Sequence, residues 1–151
     1  MRVPPKMKIL FLCTGNSCRS QIAEGWAHKL KSDAIEPYSA GIETHGLNLN
    51  AVRVMAEAGV NISGQRSKHL DELRGIEFDY VVTLCGHAHE RCPNFSDKAK
   101  IVHVAFVNPL RLVTDAQPGE ERLASYRRVR DEIRVFIEGL PASLQIGRST
   151  P

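Results

Sequence analysis

Four cysteines in 151 residues fall into two pairs, Cys13 with Cys18 and Cys85 with Cys92. The first pair lies in the run Cys13-Thr14-Gly15-Asn16-Ser17-Cys18-Arg19-Ser20. A thiol, a glycine and an arginine in so short a loop suit oxyanion chemistry. Successive backbone N–H groups can turn inward on an anion such as phosphate or arsenate, and a following helix adds its positive end. The Arg19 guanidinium is a planar fork able to grip two oxygens at once. The same field favours the thiolate of Cys13, which is the reactive form of the side chain. Gly15 permits the turn, and Ser17 and Ser20 are placed to donate hydrogen bonds to the sulfur. The expected oxyanion-binding set is Thr14, Gly15, Asn16, Ser17, Cys18, Arg19 and Ser20. Cys18 itself reads as a packing residue, as free cysteines often are.

The second pair lies in Thr83-Leu84-Cys85-Gly86-His87-Ala88-His89-Glu90-Arg91-Cys92-Pro93. One reading is a redox pair. Its rival is a metal site of Cys85, His87, His89 and Cys92, but the spacing is not a usual zinc pattern. His87 and His89 read instead as exposed polar residues that raise thiol reactivity.

Both pairs need elements to position them. Residues 8–13 form a short apolar run that ends at a glycine turn, a buried strand. A helix is expected over 21–31, a weak strand over 38–41, and a helix over 50–58 closed by Gly59. Residues 78–85 and 101–107 read as buried strands. Residues 120–139 carry Leu123, Tyr126, Val129, Ile133, Phe136 and Ile137 at helical spacing. Alternating strands and helices predict an α/β fold: a single domain with a central four-stranded parallel sheet flanked by helices. Ligands of such sheets bind beyond the carboxyl ends of the strands. Cys13 and Cys85 each end a strong strand, so the two clusters can converge on one site. The domain is expected over 7–140, with tails at 1–6 and 141–151.

Composition limits the alternatives. Charged residues make up 25% and apolar residues 42%, ordinary values for a globular domain. A chain of this length buries about 68–70% of its unfolded surface and needs no disulfide or metal to fold. Twenty basic against seventeen acidic residues is too mild a balance to argue for nucleic acid. No uncharged apolar run approaches the roughly 18–20 residues of a membrane span, and no secretory segment precedes Cys13. A cytoplasmic location, reduced thiols and no membrane partner are therefore expected. No cofactor is called for, and a monomer is expected.

The run from Leu10 to Glu24 resembles the active-site loop of the low-molecular-weight tyrosine phosphatase fold. It is more closely similar to the thioredoxin-coupled arsenate reductases built on that fold. The likeness extends over roughly residues 7–140. Phosphatases of this fold need no distal cysteine pair, whereas the reductases use one, and Cys85 and Cys92 match its position and separation. The resemblance implies reduction of arsenate to arsenite by a relay of three thiols. Cys13 attacks arsenate, Cys85 then forms Cys13–Cys85, and Cys92 forms an exposed Cys85–Cys92 bridge for thioredoxin to reduce. A helix over 86–92 would span about 10.5 Å, while disulfide Cα atoms lie about 4.4–6.8 Å apart. That segment is expected to unwind on oxidation. The alternative functions are a phosphatase whose downstream thiols protect Cys13, and a non-enzymatic thiol or metal sensor.

The resemblance also marks two departures. Some of these reductases hold potassium behind the loop, and the matching positions are Asn16, Glu24, Ser39 and Lys68. Lys68 replaces an acidic ligand, so its ammonium is expected to do the cation's work. In Val107-Asn108-Pro109, Asn108 stands where the fold carries an aspartate as general acid. It cannot donate a proton as an acid, and weak or absent phosphatase activity is expected. Asp115 is too far along the chain to be a good substitute.

Overall fold

The computed structural model describes residues 5–93, 95, 98–109 and 119–147. Four parallel strands lie in the order β2-β1-β3-β4: β1 Met7–Cys13, β2 Ile35–Gly41, β3 Tyr80–Thr83 and β4 Lys100–His103. Helix α1 (Arg19–Lys31) joins β1 to β2, and α2 (Leu49–Glu57) follows β2. The short α3 (Gly86–Glu90) lies between β3 and β4, and α4 (Gly119–Glu138) and α5 (Ala142–Gly147) follow. The expected α/β architecture and its four-stranded parallel sheet are those of the structure.

Strand β1 is central, and Ile9 to Leu12 are without solvent exposure. Its continuous apolar run is what burial on both faces of a parallel sheet demands. Helix α4 packs against α1 and α2. Its stripe Leu123, Tyr126, Val129, Ile133 and Ile137 is buried, as the spacing predicted. Gly59, at φ +84, follows the last residue of α2 and its cap in the left-handed conformation a C′ glycine supplies.

Several boundaries differ from expectation, each for a local reason. Strand β2 starts at Ile35 rather than 38 and so includes Pro37. Proline is tolerated because β2 is an edge strand: within the sheet it pairs with β1, and on its other side the bridge is at Gly41, to His69, away from Pro37. The strand expected over 78–85 is regular only over Tyr80–Thr83. At its start, Asp79 binds Lys8 in both directions: its N–H donates to Lys8 O and its carboxylate accepts from Lys8 N–H. At its end, Cys85 leaves the ladder to cap α3. The strand expected to be buried over 101–107 is a largely exposed edge strand, Lys100–His103. Residues 141–147 are not a loose tail: α5 forms, and Leu144 is buried on the core. Among the described residues, no helix is long and apolar enough to cross a membrane.

Candidate active site

The loop from Cys13 to Cys18 follows β1 and opens α1. Its carbonyls are all engaged from outside. Cys13 O accepts from Ile42 N, Thr14 O from Glu43 N, and Gly15 O from His45 N. Ser67 Oγ also donates to Gly15 O, and Gln21 Nε2 donates to Asn16 O. Ser17 O and Cys18 O accept from Asn48 N and Ile22 N. A planar peptide that turns its carbonyl outward turns the next N–H inward. The result is a concave row of donors at the start of a thirteen-residue helix, the arrangement that binds oxyanions. It forms one wall of an open cleft of about 780 Å³.

Asn16 holds this curve. It has no solvent exposure and a φ of +47, a conformation asparagine tolerates better than most residues. Its Oδ1 accepts from Lys68 N at 2.8 Å and from Gln21 Nε2 at 3.0 Å. Its Nδ2 donates to Ser20 Oγ at 2.8 Å. With that lone pair occupied, the Ser20 hydroxyl can donate its own proton to Cys13 Sγ, also 2.8 Å away. Cys18 is different. Burial and the neighbouring Cys13 push its thiol up to about 12, against the opposing pull of Arg19.

Behind the loop, Ser39 Oγ donates to Glu24 Oε1 at 2.6 Å. Lys68 Nζ lies 3.8 Å from the same oxygen, and it donates to Arg66 O at 3.2 Å. The four positions Asn16, Glu24, Ser39 and Lys68 are thus brought together, with a tethered ammonium among them. Burial lowers the Lys68 ammonium from the usual lysine range, partly offset by Glu24.

Cys85 opens onto the same cleft as Cys13. Its Sγ is 3.2 Å from Thr14 Oγ1, on the residue that follows Cys13. Ala88 N donates to the same sulfur at 3.4 Å. Cys92 lies beyond the end of α3, packed against the core. Burial raises its thiol above the ordinary value. All four cysteines are free. Among the described residues, no group of three or more His, Cys, Asp or Glu side chains is arranged to hold a metal. Arg19 and Asn108 both line the cleft, and Arg19 Nη1 donates to Phe106 O at 2.9 Å. Asp115 lies outside the described residues.

Several residues that shape the site carried no signal in sequence. Gln21 and Ser67 brace the loop from α1 and from the segment before the 3-10 turn Leu70–Leu73. Asn48 caps α2 and, through its side-chain N–H, donates to Tyr126 Oη on α4. Only the position of Asn48 just before an apolar helical stretch was a usable cue, as an N-cap. His45, lining the cleft, is paired with Glu43 at 2.7 Å.

A cysteine at the end of a central strand, in an amide cradle with an arginine on the same cleft, defines a class of thiol-based oxyanion enzymes. The family of low molecular weight phosphotyrosine protein phosphatases matches residues 8–149, and this chain belongs to it. An arsenate reductase of Halalkalibacterium halodurans is 51% identical over 129 residues, 85% of this chain and 90% of that protein. A solved arsenate reductase in its oxidised state superposes with a TM-score of 0.72 at 30% identity, covering 88% of this chain and 95% of that one. A thioredoxin-dependent arsenate reductase of Corynebacterium glutamicum superposes with a TM-score of 0.68 at 25% identity. It covers 97% of this chain and 65% of that one.

The difference among the thiols is measurable. With its pKa near 12, Cys18 is thiolate in only about one molecule in ten thousand at pH 8. Iodoacetamide at pH 8 should leave Cys18 unmodified in the folded protein and modify it after unfolding. Labelling of Cys18 in the native state at the rate of Cys13 would contradict this account of the loop.

Proposed function

We propose that this chain is a cytoplasmic arsenate reductase whose electrons pass through Cys13, Cys85 and Cys92 to thioredoxin. The observation that carries the proposal is the opening of the Cys85 sulfur onto the cleft of Cys13, one residue from the nucleophile. The names of its relatives support the same substrate.

The chemistry follows from the geometry. Arsenate occupies the amide cradle, with its charge held by the N–H groups, the end of α1 and Arg19. The Cys13 sulfur, hydrogen-bonded to Ser20, attacks arsenic as the thiolate and displaces a hydroxyl, which leaves as water with a proton from solvent, and a sulfur–arsenic bond forms. Cys85 attacks the Cys13 sulfur. The sulfur–arsenic electron pair stays on arsenic, which leaves as arsenite, reduced by two electrons, and Cys13–Cys85 forms. Cys92 then attacks Cys85, releasing the Cys13 thiolate and forming Cys85–Cys92.

Cys92 is half-buried with its thiol raised by burial, and α3 lies between it and Cys85. Five residues of helix are marginal alone, so α3 unwinds readily and brings the two sulfurs together. The new disulfide is then exposed, in a form a thioredoxin can reach. The Corynebacterium relative, named as thioredoxin-dependent, supports this choice of reductant.

Asn108 shifts the balance between substrates. A general acid typically contributes about 10²–10⁴-fold to rate, and a phosphate monoester needs that proton at its leaving oxygen. Arsenate exchanges its oxygens more readily and depends on the acid less. Lys68 supplies the positive charge behind the loop without a dissociable ion.

With thioredoxin, thioredoxin reductase and NADPH, the protein should produce arsenite through many turnovers. Cys92→Ser should release about one arsenite per enzyme and then stop. Arsenite absent from both, with phosphotyrosine hydrolysed, would establish a phosphatase instead.

Turnover should be equal in sodium and potassium buffers of the same ionic strength, and strong potassium activation would refute the role given to Lys68. Asn108→Asp should raise hydrolysis of p-nitrophenyl phosphate by at least about tenfold. An unchanged rate would remove this loop from the chemistry.

A further inference from the structure

Cys85 must lose a proton before it attacks, and the proposed reaction leaves that proton without a destination. A free thiol ionises near pH 8.5, so at pH 7 only a few per cent is thiolate. Asn108 is no base. The structure offers one at the other end of a short chain of hydrogen bonds. Thr14 Oγ1 lies 3.2 Å from Cys85 Sγ and 3.0 Å from His87 Nδ1. A hydroxyl has one proton to donate and lone pairs to accept with. With a neutral imidazole, the thiol donates to Thr14 and Thr14 donates to Nδ1. With an imidazolium, Nδ1–H donates to Thr14 and Thr14 donates to the thiolate. The same three heavy atoms satisfy both protonation states, and only hydrogens move.

We propose that His87 is the proton acceptor for Cys85, acting through the Thr14 hydroxyl. The inference rests on the arsenate reductase reading of the site. His87 does not touch the sulfur; it is a positioning residue that orients the hydroxyl and stores the proton. One proton leaves Cys85 Sγ, one arrives at His87 Nδ1, and the electron pair left on sulfur forms the Cys13–Cys85 bond. The stored proton then passes to an oxygen of the departing arsenite or to water.

Ala88 N–H donates to Cys85 Sγ from α3 itself. On the segment after β2, the Glu43 carboxyl is held below its usual range by His45, and it also feels the charges of His87 and Arg91. Its charge is therefore within electrostatic reach of His87. Arg19 and Cys13 face the cleft from the loop, His45 from the segment after β2, and Arg91 ends α3. His89 is turned away, bound to Thr83 Oγ1 and stacked on His103. The two histidines of the segment therefore have separate duties.

Single-turnover release of arsenite from the reduced full chain, followed from pH 5.5 to 9, tests the relay. The wild-type rate should rise through the range where imidazoles titrate, about pH 5 to 8, and then level. In His87→Gln, which keeps a hydrogen-bonding side chain, the rise should move toward the free thiol. The rate should then be at least about tenfold lower at pH 7, with the gap closing as the pH rises toward 9. Free imidazole should restore part of the lost rate to His87→Ala.

An unchanged profile, or a uniform loss at every pH, would overturn the relay. Alkylation of Cys85 by iodoacetamide needs no arsenate and separates the two claims. The relay predicts slower Cys85 labelling at pH 7 in His87→Gln, and equal rates would overturn it. A wild type that makes no arsenite yet shows that difference would overturn only the arsenate reductase reading.

Discussion

A left-handed, fully buried asparagine curves the loop on which the site is built. Asn16 accepts from Lys68 N and Gln21 Nε2 and donates to Ser20 Oγ. These bonds tie the loop after β1 to two other parts of the chain through one amide: the first turn of α1 and Lys68. Leaving such a buried polar group unpaired costs about 1–3 kcal/mol for each partner lost. The network is therefore satisfied as a whole or badly strained. Its satisfaction turns the loop carbonyls outward, the N–H groups inward, and the Ser20 hydroxyl toward Cys13. Lys68 belongs to the same arrangement twice, through its backbone N–H at Asn16 and its ammonium beside Glu24.

Around that rigid cradle, the second half of the site is weakly held. Helix α3 is a short turn capped by the Cys85 sulfur and anchored by the buried Ala88. The contrast suits a reaction in which the first thiol must stay put and the second must move. A core of sheet and long helices, with no disulfide in it, would let the disulfides of the proposed relay form and break without unfolding the domain. The thiols themselves are graded by environment. Burial beside Cys13 raises the Cys18 thiol most, burial raises that of half-buried Cys92, and Cys85 faces the cleft.

Much of this was legible in the sequence because it rests on local pattern. Residues 9–13 are apolar without interruption, and a glycine loop and a helical stretch follow. That succession dictates strand, turn and helix wherever the chain folds. The stripe on α4 was legible for the same reason. What pattern could not show depends on partners distant in the chain. Pro37 sits within a strand only because β2 has a free edge, and Leu144 orders α5 only because the core has room for it. The bonds from Gln21 and Ser67 to the loop, and the Thr14 bridge between Cys85 and His87, span residues whose meeting is decided by the sheet. Thr14 was expected as one of the oxyanion-binding residues of the loop. Its side chain proves to connect the two halves of the site.

The central claim is that three particular thiols exchange bonds in a fixed order while the fourth stays out. Peptide mapping by mass spectrometry after one equivalent of arsenate, without reductant, tests it most directly. The account predicts a Cys85–Cys92 disulfide in the wild type, a Cys13–Cys85 disulfide in Cys92→Ser, and a reduced Cys18 in both. A disulfide that includes Cys18, or four reduced thiols after arsenate, would contradict it.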